Sequence, residues 1–127
     1  MALVVLDASV IIAFLDPEDP HHESAVDALA QGGVDLVVPA SAYAEILVHP
    51  YRRRRAAHVE RLIAELPVRV QPIDADVARA AARLRAQRPR LGLPDALVVA
   101  TGDVLDADAV LTADASWPKM SRRARTL

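Results

Sequence analysis

Apolar residues follow two rhythms along this chain. Short runs rich in apolar, β-prone residues occur at Ala2–Leu6, Val34–Val38, Val68–Gln71 and Ala109–Thr112. Such runs predict strands of a buried sheet. The stretches between them carry helical spacing. Ser9–Leu15 predicts a short helix, and Asp16–Pro20 a loop. Asp19 followed by Pro20 has the order of an N-cap and a first-turn proline, which predicts a helix from Pro20 to Ala30 ended by Gly32 and Gly33. Ser41 is a candidate N-cap for a helix to Val48, limited by Pro50. Tyr51–Leu66 is the clearest amphipathic segment, with Val59, Leu62, Ile63 and Leu66 on one stripe. Asp74–Gln87 presents Val77, Ala81 and Leu84 inward, and Pro94-Asp95 opens an apolar helix to Val104. The tail from Ser116 has no clear rhythm; Arg125–Leu127 is a candidate edge strand.

Strands alternating with helices predict a single α/β domain over 1–127, a three-layer α/β/α sandwich around a parallel sheet. Right-handed crossovers restrict the topology. If the fourth strand lies beside the first, on the side away from the second, strand order reverses between them. Ligands bind outside the carboxyl ends of strands at such a reversal. Asp7 and Asp114 would both end there.

Composition narrows the function. The net charge of −2 excludes a simple polycation mode of nucleic-acid binding, though not local basic patches. The chain contains no cysteine, so disulfides and thiolate metal sites are excluded, and a reducing, cytoplasmic setting is expected. No signal peptide and no membrane span are expected. The few aromatics, Phe14, Tyr43, Tyr51 and Trp117, argue against a base-stacking platform. Lys119 is the only lysine; the other basic residues are arginines, whose planar fork suits phosphate.

Four acids stand out. Asp7 and Asp114 follow buried strands, Asp95 falls in the first turn of an apolar helix, and Glu45 lies on the helix after the second strand. Each has an ordinary explanation. Asp7 can accept bonds at a strand end, Asp95 can favour a helix dipole, Asp114 can serve a turn, and Glu45 can be a solvated helix residue. Gathered at one edge, however, they would raise one another's pKa. A hard divalent ion, Mg²⁺ or Mn²⁺, removes that cost through oxygen ligands. Such a site activates water against a phosphodiester.

Val5-Leu6-Asp7-Ala8-Ser9-Val10, Ala44-Glu45-Ile46-Leu47, Pro94-Asp95-Ala96-Leu97-Val98-Val99-Ala100 and Val110-Leu111-Thr112-Ala113-Asp114 together resemble the PIN-domain nucleases. Size and layout resemble the VapC toxins of VapBC toxin–antitoxin pairs within that family. No single motif is specific; the four in order, spanning essentially the whole chain, carry the resemblance. It implies a sheet of order 3-2-1-4-5 and metal-dependent endoribonuclease activity leaving a 5′-phosphate and a 3′-hydroxyl. It also implies a homodimer and a VapB antitoxin that covers the acidic groove. Asp7, Glu45, Asp95 and Asp114 match the family's acidic quartet, and Thr112 matches a hydroxyl position near the metal. On this resemblance, Asp7 and Asp95 are expected as main metal ligands, and Asp114 completes the shell directly or through water. Glu45 is expected to bind a second ion or orient the attacking water.

Other features remain. Arg52–Arg55 is expected to open the long amphipathic helix, either as a solvated face or as a phosphate-tracking patch. A helix start disfavours cations, which tilts towards a ligand role. Arg79 and Arg83, four apart, are consistent with a polyanion or an acidic partner. Glu45 and His49 share a helix face, though a histidine near a helix end more often has no ligand role. His21 and His22 are expected at the surface. Tyr43, Ile46 and Leu47 are expected to face the core or a dimer partner, and Trp117 to be a packing cap.

Two other phosphate-handling folds fit less well. A haloacid-dehalogenase-type phosphatase requires a second aspartate where Ser9 stands. A response-regulator receiver requires an early acidic pair, which is missing, and a lysine after the last strand, where only Lys119 in an irregular tail is on offer. An inactive PIN-like binding module should lack part of the quartet, which is intact. An RNA-processing PIN nuclease without an antitoxin is an open alternative, separable by a small upstream antitoxin gene.

Overall fold

A computed structural model describes all 127 residues. The strands are β1 (Ala2–Leu6), β2 (Val34–Pro39), β3 (Val68–Gln71), β4 (Ala109–Thr112) and β5 (Ala124–Thr126). They form one parallel sheet of order β3-β2-β1-β4-β5. The helices are α1 (Ala8–Leu15), α2 (His22–Ala30), α3 (Ala40–Arg52), α4 (Ala56–Ala64), α5 (Ala75–Gln87) and α6 (Leu93–Val104), with a 3₁₀ turn at Trp117–Lys119. Strand order reverses between β1 and β4, as the sequence predicts. No helix is long and apolar enough to cross a membrane.

Apolar residues dominate the central strands because helices cover them. Val5 and Leu6 of β1, Val38 of β2 and Val110 of β4 are buried with Val10 and Ile11 of α1 and Val98 and Val99 of α6. A smaller cluster joins α5 to α6 through Val77, Ala81, Ala96 and Ala100. At Gly102 the helix lies directly on the Val110 side chain, and a Cβ there would collide with it. Trp117 is buried, so its packing role holds.

Several boundaries move for local reasons. Asp74 is an N-cap as expected, its Oδ1 accepting from the Val77 amide at 2.9 Å. Asp19 is not. Its Oδ1 accepts from His21 N at 2.8 Å, closing a turn, and α2 starts only at His22. His22 is half-buried rather than a free surface residue, with Nδ1 donating to the Ala13 carbonyl at 2.8 Å. Helix α3 begins at Ala40, ahead of Ser41, whose hydroxyl is buried without a partner. Ile46 and Leu47 of that helix are buried, with Tyr43 half-buried beside them.

The largest difference concerns Tyr51–Leu66. Helix α3 runs through Pro50 to Arg52, and the chain then turns. Arg53 N donates to the His49 carbonyl, Arg55 N reaches back to Pro50 O at 2.8 Å, and Arg54 adopts a left-handed φ of 57°. The expected long helix is therefore two elements. Arg52 sits at a helix C-terminus, where a cation is favoured. Arg52–Arg55 forms the turn between α3 and α4, not a helix start as the sequence suggested. Arg79 pairs with Asp76 on its own helix.

The tail does form a fifth strand, one residue earlier than the candidate Arg125–Leu127. β5 pairs with β4 in the register Val110↔Ala124 and Thr112↔Thr126. Arg123 anchors it, reaching Asp106 Oδ1 at 2.9 Å, Asp103 Oδ1 at 3.3 Å and the Ala107 carbonyl at 3.2 Å.

Candidate active site

The end of β1 delivers Asp7 to the reversal point. Its backbone amide donates to Leu111 O at 2.9 Å, tying it to β4. Its side chain makes no capping bond to α1 although it stands at the N-cap position. Instead, Oδ2 accepts from the Ser9 hydroxyl at 2.7 Å and from the Thr112 hydroxyl at 3.0 Å. Those hydroxyls are fixed in turn. Ser9 Oγ accepts from Ala113 N at 3.0 Å, and Thr112 Oγ1, fully buried, accepts from Asp114 N at 3.1 Å. One oxygen of Asp7 is thus locked, and Oδ1 has no hydrogen-bond partner.

Asp95 stands half-buried in the first turn of α6, and Glu45 stands on α3. Neither carboxylate accepts a hydrogen bond from a protein group. Burial raises the Glu45 carboxyl above its ordinary pKa, and the negative charges of Asp7 and Asp95 raise it further. Burial likewise raises Asp95, helped by Asp7 and Asp114. Asp114, two residues past β4, is exposed and behaves oppositely. The Ser116 hydroxyl and amide donate to its Oδ1 at 2.6 and 2.8 Å and hold its carboxyl below the usual range.

Glu45 thus feels the charges of Asp7 and Asp95, and Asp95 those of Asp7 and Asp114, so each predicted acid lies within electrostatic reach of at least one other. A cleft of about 380 Å³ beside Asp95 and Asp114 is lined by Arg88, Arg90 and Lys119. A second, of about 550 Å³ between α1, α3 and α4, reaches Glu45 and is lined by His49, Arg53, Arg55 and His58. His49 thus shares a cleft with Glu45.

The donors fit a hard divalent cation. They are oxygen only, negatively charged, and include unpartnered lone pairs on Asp7, Asp95 and Glu45. No three acids or histidines already enclose a cage, so the expected trio Asp7, Asp95 and Asp114 does not form one by itself. Mg²⁺ ordinarily keeps several waters and takes one or two carboxylates beside a substrate phosphate, so an enclosed set of three is not required of its site.

Sequence reasoning missed the roles of Ser9 and Ser116. The signal was present: Asp-Ala-Ser occurs twice, at Asp7–Ser9 and at Asp114–Ser116, and each serine serves its own aspartate. It also missed Arg88 and Arg90, whose proximity to the acids depends on how the loop before α6 folds.

A family model described as PIN domain matches residues 4–123. No curated protein sequence matches at a significant level. Solved structures share the fold. A toxin–antitoxin complex from Klebsiella pneumoniae is 18% identical with a TM-score of 0.77, covering 99% of this chain and 97% of that one. VapC20 of Mycobacterium tuberculosis, described as a sarcin–ricin loop cleaving toxin, is 18% identical with a TM-score of 0.77, covering 91% and 93%. FitAcB from Neisseria gonorrhoeae is 22% identical with a TM-score of 0.74, covering 98% and 96%.

Proposed function

This chain belongs to the PIN domain family, and from that premise we propose that it is a metal-dependent endoribonuclease, the toxin of a type II toxin–antitoxin pair silenced by a VapB-type antitoxin. The observation that carries the reading is the uncompensated negative charge at the reversal point, where burial and the neighbouring Asp7 charge push Asp95, and burial with the charges of Asp7 and Asp95 pushes Glu45, towards the protonated form. Leaving charge unpaired in partial burial is costly unless a cation joins it. Its toxin–antitoxin fold neighbours, one described as cleaving the sarcin–ricin loop, support the toxin assignment over a housekeeping nuclease.

Asp7 and Asp95 would hold Mg²⁺, or Mn²⁺ in its place, with Asp114 completing the set directly or through water. When bound, the ion supplies an activated water and neutralises charge on the phosphodiester. The remaining steps belong to the protein. Ser9 and Thr112 fix one Asp7 oxygen and leave the other free to hold an ion. Ser116 keeps Asp114 ionised. Glu45 orients the attacking water or holds a second ion. Attack in line on phosphorus would break the bond to the 3′ oxygen and leave a 5′-phosphate and a 3′-hydroxyl. The active form would be a homodimer acting in the cytoplasm.

The test is cleavage of total RNA by wild type and by Asp7→Asn, in Mg²⁺ or Mn²⁺ and in chelator. Cleavage by wild type with metal only, lost in the variant, is expected. Activity that survives both the chelator and the substitution sinks the mechanism. A small gene beside this one, encoding a protein that suppresses the cleavage, is expected; a saturating partner that leaves the rate unchanged removes the toxin assignment.

A further inference from the structure

The two clefts described above both reach the row of acids, one at Asp95 and Asp114 and the other at Glu45. One contains Asp95 and Asp114 with Arg88, Arg90 and Lys119. The other contains Glu45 with Arg53 and Arg55. None of these five basic side chains has a carboxylate within ion-pair distance. The chain does pair arginines elsewhere: Arg69 with Asp35, Arg79 with Asp76, and Arg123 with Asp103 and Asp106. Other arginines are unpaired too, but these five basic side chains are the ones lining clefts that also hold acids of the quartet.

We propose that these clefts mark the path of a single RNA strand across the site, with Arg53 and Arg55 holding the phosphates on one side of the cleaved bond and Arg88 and Arg90 holding those on the other. The proposal rests on the nuclease reading and names the residues that position its substrate. The physical reason is charge. An acid row repels a phosphate backbone, so a strand can lie along it only if cations hold it at both ends. A protein segment in the α1–α3–α4 cleft is the competing occupant, because Ile12, Leu15, Ile46, Val59 and Leu62 give that cleft an apolar floor. RNA is favoured because the basic lining recurs in the cleft at Asp95 and Asp114, where only Leu91, Trp117 and Met120 are apolar and Trp117 is buried.

The experiment measures fluorescence anisotropy of a labelled, random-sequence 14-nucleotide RNA against salt. It is done on an Asp7→Asn background with EDTA, so that cleavage and metal play no part. Each phosphate contact on a single strand contributes a slope of about 0.7 in log K against log salt. Arg53→Ala with Arg55→Ala should therefore reduce the slope by about 1.4 and weaken binding roughly 20-fold at 0.1 M salt, and Arg88→Ala with Arg90→Ala should do the same. Arg79→Ala with Arg83→Ala on α5 removes equal charge away from the clefts and should change little. Lysine at 53 and 55 should keep the slope, which separates lost phosphate contacts from a disturbed turn. Arginine-to-alanine pairs that bind with the parent's slope and affinity overturn the path, as does an equal loss from the α5 pair. An effect at 88 and 90 without one at 53 and 55 gives the α1–α3–α4 cleft to a protein segment and also overturns it. Failure of wild type to cleave RNA in Mg²⁺ is a separate result, which removes the nuclease reading whatever the binding shows.

Discussion

The two edges of this sheet use the same residue type in opposite ways. At the amino edge, Asp108 accepts from the Leu3 amide at 2.7 Å, Asp35 pairs with Arg69, and Asp103 and Asp106 share Arg123. At the carboxyl edge, Asp95 and Glu45 have no such partner, and their neighbours are other acids. The amino edge uses aspartate to close the fold. The carboxyl edge keeps it in a state that the folded protein alone does not favour. Asp95 and Glu45, left in that condition on two helices, are candidates for completion by an outside ligand.

The contrast can be broken experimentally. Asp7→Asn should lower RNA cleavage by about 100-fold or more, as loss of a metal ligand would, without lowering Tm. A normal rate from a folded variant would erase the difference between the edges. Arg123→Ala should do the reverse, costing about 1–2 kcal/mol in urea denaturation because a carbonyl and the end of β5 lose their tie. Its cleavage per folded molecule should match wild type. An unchanged midpoint would show that the amino edge is not held this way.

Asp95→Asn should raise Tm by a few degrees at pH 7 in chelator. The sign follows from linkage. Asp95 has a folded pKa above its unfolded one, so the native state binds more protons between the two values and stability falls as pH rises through that window. Below the unfolded pKa the variant's advantage should vanish, and Mg²⁺ should stabilise wild type more than the variant. A variant less stable than wild type at pH 7 would mean that Asp95 is already satisfied.

The smallest effect belongs to Ser116→Ala. Asp114 would lose the hydroxyl donor while keeping the backbone amide, and its pKa should rise part of the way towards the ordinary carboxylate value. The stabilising contribution of this group is present above its unfolded pKa and lost as pH falls through the lower folded one. The acid limb of the cleavage profile should therefore move to higher pH, with a change of only a few-fold at pH 7. A limb that stays in place would separate Ser116 from the reaction.

Much of this was legible in the letters. The apolar runs at Ala2–Leu6 and Ala109–Thr112 marked the two strands that flank the reversal, because a strand covered on both faces has little room for polar alternation. The acids at their ends followed, since parallel strands send their carboxyl ends to one edge. What stayed hidden depended on contacts distant in sequence or on competing local bonds. The stripe through Val59, Leu62 and Ile63 is real, yet periodicity could not show that the helix bearing it starts only at Ala56. Asp19 had the right neighbour for a cap but spends its oxygen on a turn. Thr112 serves Asp7 from 105 positions away, visible only once β1 and β4 are side by side.

The left-handed twist at Arg54 has an effect beyond ending a helix. Residues two apart on a helix point to nearly opposite sides, so Arg53 and Arg55 on a continuous helix would splay. The backward step between them aims both side chains into a single cleft. A non-glycine residue resists that twist, and the chain tolerates the discomfort at the one spot where two guanidinium groups become a pincer.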